Sequence, residues 1–268
     1  MTEDAVLFDV QEGVATLTLN DPARMNPLSP PIREGFLAAL ARVQGDTAIR
    51  VLVIKAAGKG FCVGADLSEI IATAEAPGGA SPEEQITDLM DNTATPLVTQ
   101  LRALRVPVVC AIDGAVAGGG VGLALAADIV VATRASYFYL PFVTALGMVP
   151  DMGASWFMPR TIGTARSVGM TLLGKRVPAQ QAADWGLIWA CVDDASALAD
   201  EVATVAARLA RLPARAIQEV RAMFDAAQSN TLSAQLLDER DRQVRLAGGP
   251  DFAEGLRAFK EKRRPDFE

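Results

Sequence analysis

The chain has 268 residues, half of them hydrophobic and 21% charged, with a formal net charge of −7. That is enough for one sizeable core, and the acidic balance excludes a basic nucleic-acid surface. No histidine is present, so a Ser-His-Asp or Cys-His nucleophile system and a histidine-based zinc site are both impossible, and proton transfer must fall to Asp, Glu, Lys, Tyr or Cys.

Val6–Val10 and Val14–Leu19 read as an antiparallel strand pair. A helical pattern spans about residues 30–44. The short apolar runs Val51–Ile54, Val108–Ile112 and Ile129–Ala132 suit buried strands. A second helical stretch covers about residues 83–104, preceded by Ala74–Ser81 (AEAPGGAS), which reads as an exposed, mobile loop. Strands alternating with helices imply an α/β core. Beyond about residue 195 the strand signal stops. Leu198, Val202, Val205, Leu209 and Leu212 recur at helical spacing, and helical patterns continue to Phe259, broken at Pro213 and at Gly248-Gly249-Pro250. Residues 1–199 are therefore expected to form the core and 200–268 a helical appendage. No apolar run reaches the length of a membrane span and no charged-then-apolar leader opens the chain. Cys62, Cys110 and Cys191 show no metal-ligand spacing and read as buried thiols. A cytoplasmic location without membrane or nucleic-acid partners is expected, with no metal and no cofactor.

Two glycine-containing turns follow buried strands: Gly58–Leu67 (GKGFCVGADL) after Val51–Ile54, and Asp113–Leu123 (DGAVAGGGVGL) after Val108–Ile112. Glycines at a helix start let a ligand approach the backbone and leave amide donors unpaired. Side by side, two such turns could each give one N–H to a developing oxyanion, a donor worth ~3–4 kcal/mol in a transition state. Equally, they could serve only tight turns and close packing. The second turn lacks the Gly-Lys-Ser/Thr of a P-loop and the acidic partner of a dinucleotide site.

FCVGADL at 61–67, GAVAGGGVGLALAADIVVA at 114–132 and LGMVPDMGASWFMPRTIG at 146–163, with the NPL stretch at 26–28 and FKEKRRPDF at 259–267, together resemble the crotonase (enoyl-CoA hydratase/isomerase) superfamily over nearly the whole chain. The resemblance implies an α/β spiral of ββα units, a C-terminal helical trimerisation region, homotrimers or hexamers, and acyl-CoA thioester substrates. It also puts the oxyanion-hole amides on Ala65 and Gly119.

Hydratases of this superfamily use two glutamates to hold water. The first belongs three positions after the second oxyanion glycine, here Gly122; the second falls on Phe142 or Val143. Neither position is acidic, so hydration is not expected. A subset of the superfamily's isomerases carries a single carboxylate after a proline, and Asp151 follows Pro150. The stretches 153–194 and LDERDRQVRLAGGPDFAEGLRAF resemble the type that isomerises 1,2-epoxyphenylacetyl-CoA in phenylacetate breakdown. One base suffices to move a C2 proton of a Δ3-enoyl thioester to C4, and Val149, Met152 and Phe142 are expected to raise its pKa and exclude water.

Asp151 could equally cap the helix that begins near Met152, and the two roles compete for the same oxygens. Asp66 reads as a helix cap beside the ligand site, with Leu67 next to it; Asp128 reads as structural, and Asp113 and Glu69 as outside candidates for the base. Lys260, in the basic cluster with Lys262, Arg263 and Arg264, and Arg24, before the NPL stretch, are candidates for the coenzyme A phosphates. Trp156, Phe157 and Trp185 read as core. Two readings compete with the isomerase: a protein that only binds acyl-CoA, and another thioester reaction such as hydrolysis.

Overall fold

The computed structural model describes residues 4–267. Val6–Gln11 (β1) and Val14–Leu19 (β2) form the expected antiparallel hairpin, with Val6 opposite Leu19. Glu12 and Gly13 close it with positive φ angles, the handedness that a two-residue hairpin needs. Helix α1 (Pro30–Gly45) then leads to β3 (Val51–Ala56), β4 (Gly60–Cys62) and α2 (Leu67–Glu75). After α3 (Pro82–Leu89) and α4 (Thr95–Ala103) come β5 (Val108–Ile112), β6 (Ala115–Ala117) and α5 (Gly119–Leu125). The third passage is β7 (Ile129–Thr133), β8 (Tyr137–Tyr139) and α6 (Ala154–Leu173). β9 (Val177–Pro178), α7 (Ala179–Trp185) and β10 (Ala190–Val192) complete the strand-bearing part. The chain ends in α8 (Ala195–Leu209), α9 (Ala214–Ala227), α10 (Leu232–Ala247) and α11 (Pro250–Glu261).

In each of the three central passages the first strand joins one sheet, the second joins another, and a helix follows. The large sheet has the order β1-β2-β3-β5-β7-β10 and the small one β4-β6-β8-β9. β2, β3, β5, β7 and β10 run parallel, as do β4, β6 and β8. This is the spiral of ββα units expected from the motifs. Both faces of the large sheet's centre are covered. Leu52, Ile54, Val108 and Cys110 point into the main core, while Val51, Val53, Val109 and Ala111 point into a second core. Leu198, Val202 and Ala206, one face of α8, close that second core. Burial on both sides explains why these strands read as unbroken apolar runs.

Three local expectations change. The single helix over 83–104 is interrupted by a π-helical turn at Met90–Ala94, because Pro96 at the start of α4 has no N–H for a regular ladder. The loop expected from Ala74 is shorter: α2 extends to Glu75, and Gly79 folds back so closely that its Cβ position lies 1.9 Å from the Thr73 carbonyl oxygen. Phe157 is buried and Trp185 packs against the core as expected. Trp156, however, is 40% exposed, with the Arg160 guanidinium 4.1 Å above its ring. Its place on the outward side of α6 lets the indole stack instead of burying.

Helix α8 is held to the body by its apolar face, and α9 by polar groups. Arg221 of α9 donates to Asp128 Oδ1 at 2.7 Å and to the Val106 carbonyl at 2.8 Å, and Asp128 also accepts the Val108 amide at 2.7 Å. Asp128 is thus the structural residue that the sequence suggested. Glu254 in α11 ties down the tail by receiving Arg263 at 2.6 Å and the Asp266 amide at 3.0 Å. Among the described residues no helix is long and apolar enough to cross a membrane.

Candidate active site

The two glycine turns dock against each other backbone to backbone. A Cβ on Gly64 would lie 2.8 Å from the Gly119 nitrogen, and one on Gly120 would lie 2.3 Å from the Cys62 carbonyl oxygen. Gly64 has φ +87° and Gly118 φ +54°, a region that L side chains rarely adopt. Only glycine satisfies both the conformation and the approach. Two amides are left over at this junction: Ala65, at the turn before α2, and Gly119, the first residue of α5. Among the described residues neither finds a hydrogen-bond acceptor, as expected for donors at or beside a helix start.

The NPL stretch braces the first turn. Asn26 is fully buried and held at φ +57°. It donates to the Ala57 and Gly60 carbonyls at 2.9 and 2.8 Å and accepts the Asp21 amide at 2.7 Å. Leu28 donates its amide to the Gly64 carbonyl at 2.8 Å and lays a methyl 3.7 Å from the Cβ position of Gly119. The sequence marked this stretch by resemblance alone. Its physical role is to fix the Ala65 turn.

Asp151 lies on the other side. Its Oδ1 is 3.1 Å from the Cβ position of Gly119, beside the Cγ of Met152 at 3.0 Å. That oxygen is buried and makes no hydrogen bond to any described residue. Burial pushes the carboxyl up to about 6, opposed only by its own backbone amide. Asp151 does not cap a helix: the residue before α6 is Gly153, and no side chain caps that end. The nearby Cys62 thiol is raised to about 12, chiefly by burial, so it stays neutral beside the carboxylate.

The two positions that would hold a hydratase's acids are filled otherwise. A Cβ on Gly122 would lie 2.3 Å from the Met152 carbonyl oxygen and 2.6 Å from the Met152 Cβ. Phe142 is buried, its ring tip 4.0 Å from the Cβ position of Gly118, while Val143 faces outward. Met152 supplies the expected apolar surroundings beside Asp151 at Gly119, and Phe142 lies one residue away against Gly118. Val149 does not contribute: it is 76% exposed, on the surface stretch that follows the π-helical turn Phe142–Leu146.

The remaining candidates divide clearly. Asp66 is buried, caps α2 through the Ser68 amide at 3.2 Å and receives Arg24 at 2.6 Å. Arg24 is shared with Asp21, also at 2.6 Å, which brings a guanidinium to the rim of the Ala65 turn. Leu67 opens α2 with its side chain exposed. Glu69 is engaged by Arg33 at 3.1 Å, and Asp113 accepts the Thr133 hydroxyl at 2.8 Å, so neither joins Asp151. Lys260 is exposed on α11, and no hydrogen bond or ion pair links it to the Ala65–Gly119 junction among the described residues. A cavity of about 230 Å³ opens beside Ala65 between α2 and α3, with Thr73, Glu84, Gln85 and Leu89 in its walls.

The family model for enoyl-CoA hydratase/isomerase matches residues 9–268. The chain belongs to the enoyl-CoA hydratase/isomerase family. It is 41% identical over 263 residues to the 1,2-epoxyphenylacetyl-CoA isomerase of Escherichia coli K12, covering 98% of this chain and 97% of that one. It is also 34% identical over 266 residues to a trans-2-decenoyl-[acyl-carrier-protein] isomerase of Streptococcus mutans, covering 98% and 97%. Among solved structures, an enoyl-CoA hydratase from Bacillus anthracis matches with a TM-score of 0.88 and 29% identity over 98% of each chain. The family thus includes relatives named for either reaction on one fold.

Proposed function

We propose that this family member is an acyl-CoA isomerase that forms a thioester enolate with Asp151 as its single base. The observation that carries the reading is the contact of the Asp151 carboxylate with Gly119, with no acid at Gly122, Phe142 or Val143. Asp151 takes a C2 proton from a Δ3-enoyl thioester, the Ala65 and Gly119 amides receive the enolate oxygen, and the proton returns at C4. A carboxyl near 6 is divided between its acid and base forms close to neutral pH, which suits a group that must both take and give a proton. The 1,2-epoxyphenylacetyl-CoA isomerase name of the relative at 41% identity supports a ring-epoxide thioester as the natural substrate, and phenylacetate breakdown is the setting that the motif resemblance implies.

Arg24 and, from a neighbouring subunit, Lys260 are the cations offered to the coenzyme A phosphates. The only cofactor-like group the reaction uses is the coenzyme A of the substrate itself. Exposed Phe224, Leu232, Leu236, Val244, Leu256 and Phe259 on α9–α11 favour assembly as a homotrimer or hexamer. Free Cys62, Cys110 and Cys191 fit a reducing cytoplasm.

The test is incubation with a 3-enoyl-CoA in deuterated water, following the conjugated 2-enoyl product and label at C2 and C4, beside Asp151→Asn. Product and label that vanish in Asp151→Asn support the one-base isomerase. Full activity in Asp151→Asn excludes it. Acyl-CoA binding without product or exchange, on the ring epoxide as well, favours a binding-only protein, and release of free coenzyme A favours hydrolysis.

A further inference from the structure

Pro150–Gly153 reaches Asp151 through an unusual backbone. Met152 has φ +51° and Gly153 φ +80°, two successive residues in the left-handed region. For methionine that conformation is disfavoured and persists only where packing holds it. Here Met152 is buried, and it packs where Gly119 and Gly122 leave α5 without side chains. Its carbonyl oxygen, Cβ and carbonyl carbon occupy the space where a Gly122 side chain would start, at 2.3, 2.6 and 2.7 Å from that Cβ position. One helical turn earlier, Gly119 leaves room for the Met152 Cγ and the Asp151 carboxylate. Residues three apart share a helix face, so Gly119 and Gly122 form one notch, filled at the Gly122 end by the Met152 carbonyl and Cβ and at the Gly119 end by the Met152 Cγ and the Asp151 carboxylate.

We infer that Gly122 is a positioning residue: by having no side chain it lets the Met152 turn seat against α5, and this fixes the Asp151 carboxylate beside the Gly119 amide. Its bearing on turnover rests on Asp151 being the base. A consequence for reaction type follows from close packing. A glutamate at position 122 and the Met152 turn would require the same volume, so the one-base arrangement and a water-holding acid at 122 exclude each other in this backbone.

The test compares Gly122→Ala and Met152→Gly with the wild type, with Asp151→Asn, and with Gly169→Ala, a helical glycine whose added Cβ meets nothing within 4 Å. Met152→Gly keeps the left-handed turn accessible but removes the Cβ and Cγ that lie against the Gly122 and Gly119 positions, so it serves if Gly122→Ala does not fold. Both variants are expected to lose kcat by on the order of tenfold to a hundredfold, with KM changed by less than about twofold. The acid limb of the kcat profile is expected to move down from about 6 as the carboxyl becomes better hydrated. Cys62, the other titratable group beside it, stays neutral throughout.

A second readout does not depend on activity: the extra melting temperature that Asp151→Asn confers at pH 8 relative to pH 5 is expected to shrink in the Met152→Gly background. A folded Met152→Gly protein with wild-type kcat, an unmoved acid limb and an unchanged Asp151→Asn increment overturns the inference and leaves the base assignment standing. Full activity in Asp151→Asn removes the base assignment instead, and the melting increment then decides the positioning of the carboxylate alone.

Discussion

Asp151 Oδ1 lies against the α-carbon of Gly119, so close that a methyl group there would sit 3.1 Å from the oxygen. The same methyl would sit 3.0 Å from the Met152 Cγ. Gly119→Ala is therefore expected to push the carboxylate and Met152 away together. Isomerisation should fall by on the order of a hundredfold with the fold intact, measured as kcat beside a circular-dichroism melt. Unchanged kcat would mean that this contact has no part in turnover.

The raised Asp151 carboxyl gives a signed pH dependence. In the folded chain it holds its proton up to about 6, against about 3.9 for an unfolded aspartate. The folded state therefore binds the extra proton, and stability is lost as pH rises through about 6. Asp151→Asn should be more stable than wild type by about 2–3 kcal/mol at pH 8 and no more stable near pH 3.5, by denaturant titration. The kcat of the wild type should rise through the same window as the base form appears.

Gly120 faces the Cys62 carbonyl oxygen, with 2.3 Å between that oxygen and its Cβ position. Gly120→Ala must part the two turns or strain the backbone. A loss of roughly 2–4 kcal/mol in unfolding free energy, or failure to fold, is expected. A fully stable, active variant would show that the turns tolerate separation.

Arg24 bridges Asp21 and Asp66 at the rim of the Ala65 turn, half exposed. Because exposed ion pairs contribute little, Arg24→Met should change stability by less than about 1 kcal/mol. If the guanidinium receives a coenzyme A phosphate, KM for the thioester should rise about tenfold at low salt while kcat holds, with the difference shrinking as salt is raised. No change in KM would remove Arg24 from the binding site.

Phe259 is 85% exposed at the end of α11. Phe259→Asp in combination with Leu236→Asp should leave the chain folded and lower its native mass towards that of a monomer, read by analytical ultracentrifugation. A wild type that sediments as a monomer would exclude the proposed assembly outright.

Much of this architecture was legible because its physics is local. The hairpin, the buried strands and the helices from α8 onwards follow from periodicity, and the glycine turns stood out as breaks after strands. The motif resemblance added what periodicity cannot show: that the two turns, with Ala65 and Gly119 54 residues apart, come together. Three features escaped. The interruption at Met90–Ala94 depends on a single proline acting one turn upstream of itself. The outward Val149 depends on a π-helical turn that no apolar pattern announces. Asp151 could be read as cap or base because the choice hangs on where α6 begins. The structure starts that helix after Gly153, beyond the reach of the Asp151 oxygens. Met152 was legible as an apolar neighbour of Asp151, but nothing in its side-chain chemistry says that its main chain will fill a gap left by a glycine on another element.

The donors at the Ala65–Gly119 junction are peptide N–H groups, which no substitution except proline removes. What mutation can alter is the thin ring of side chains around them, above all positions 122, 142 and 151. With these amides receiving the thioester oxygen as proposed, a lineage with this frame can exchange one thioester reaction for another by changing a few residues, without rebuilding the donors. Relatives named for isomerisation and for hydration on one fold are what such a division of labour would leave behind.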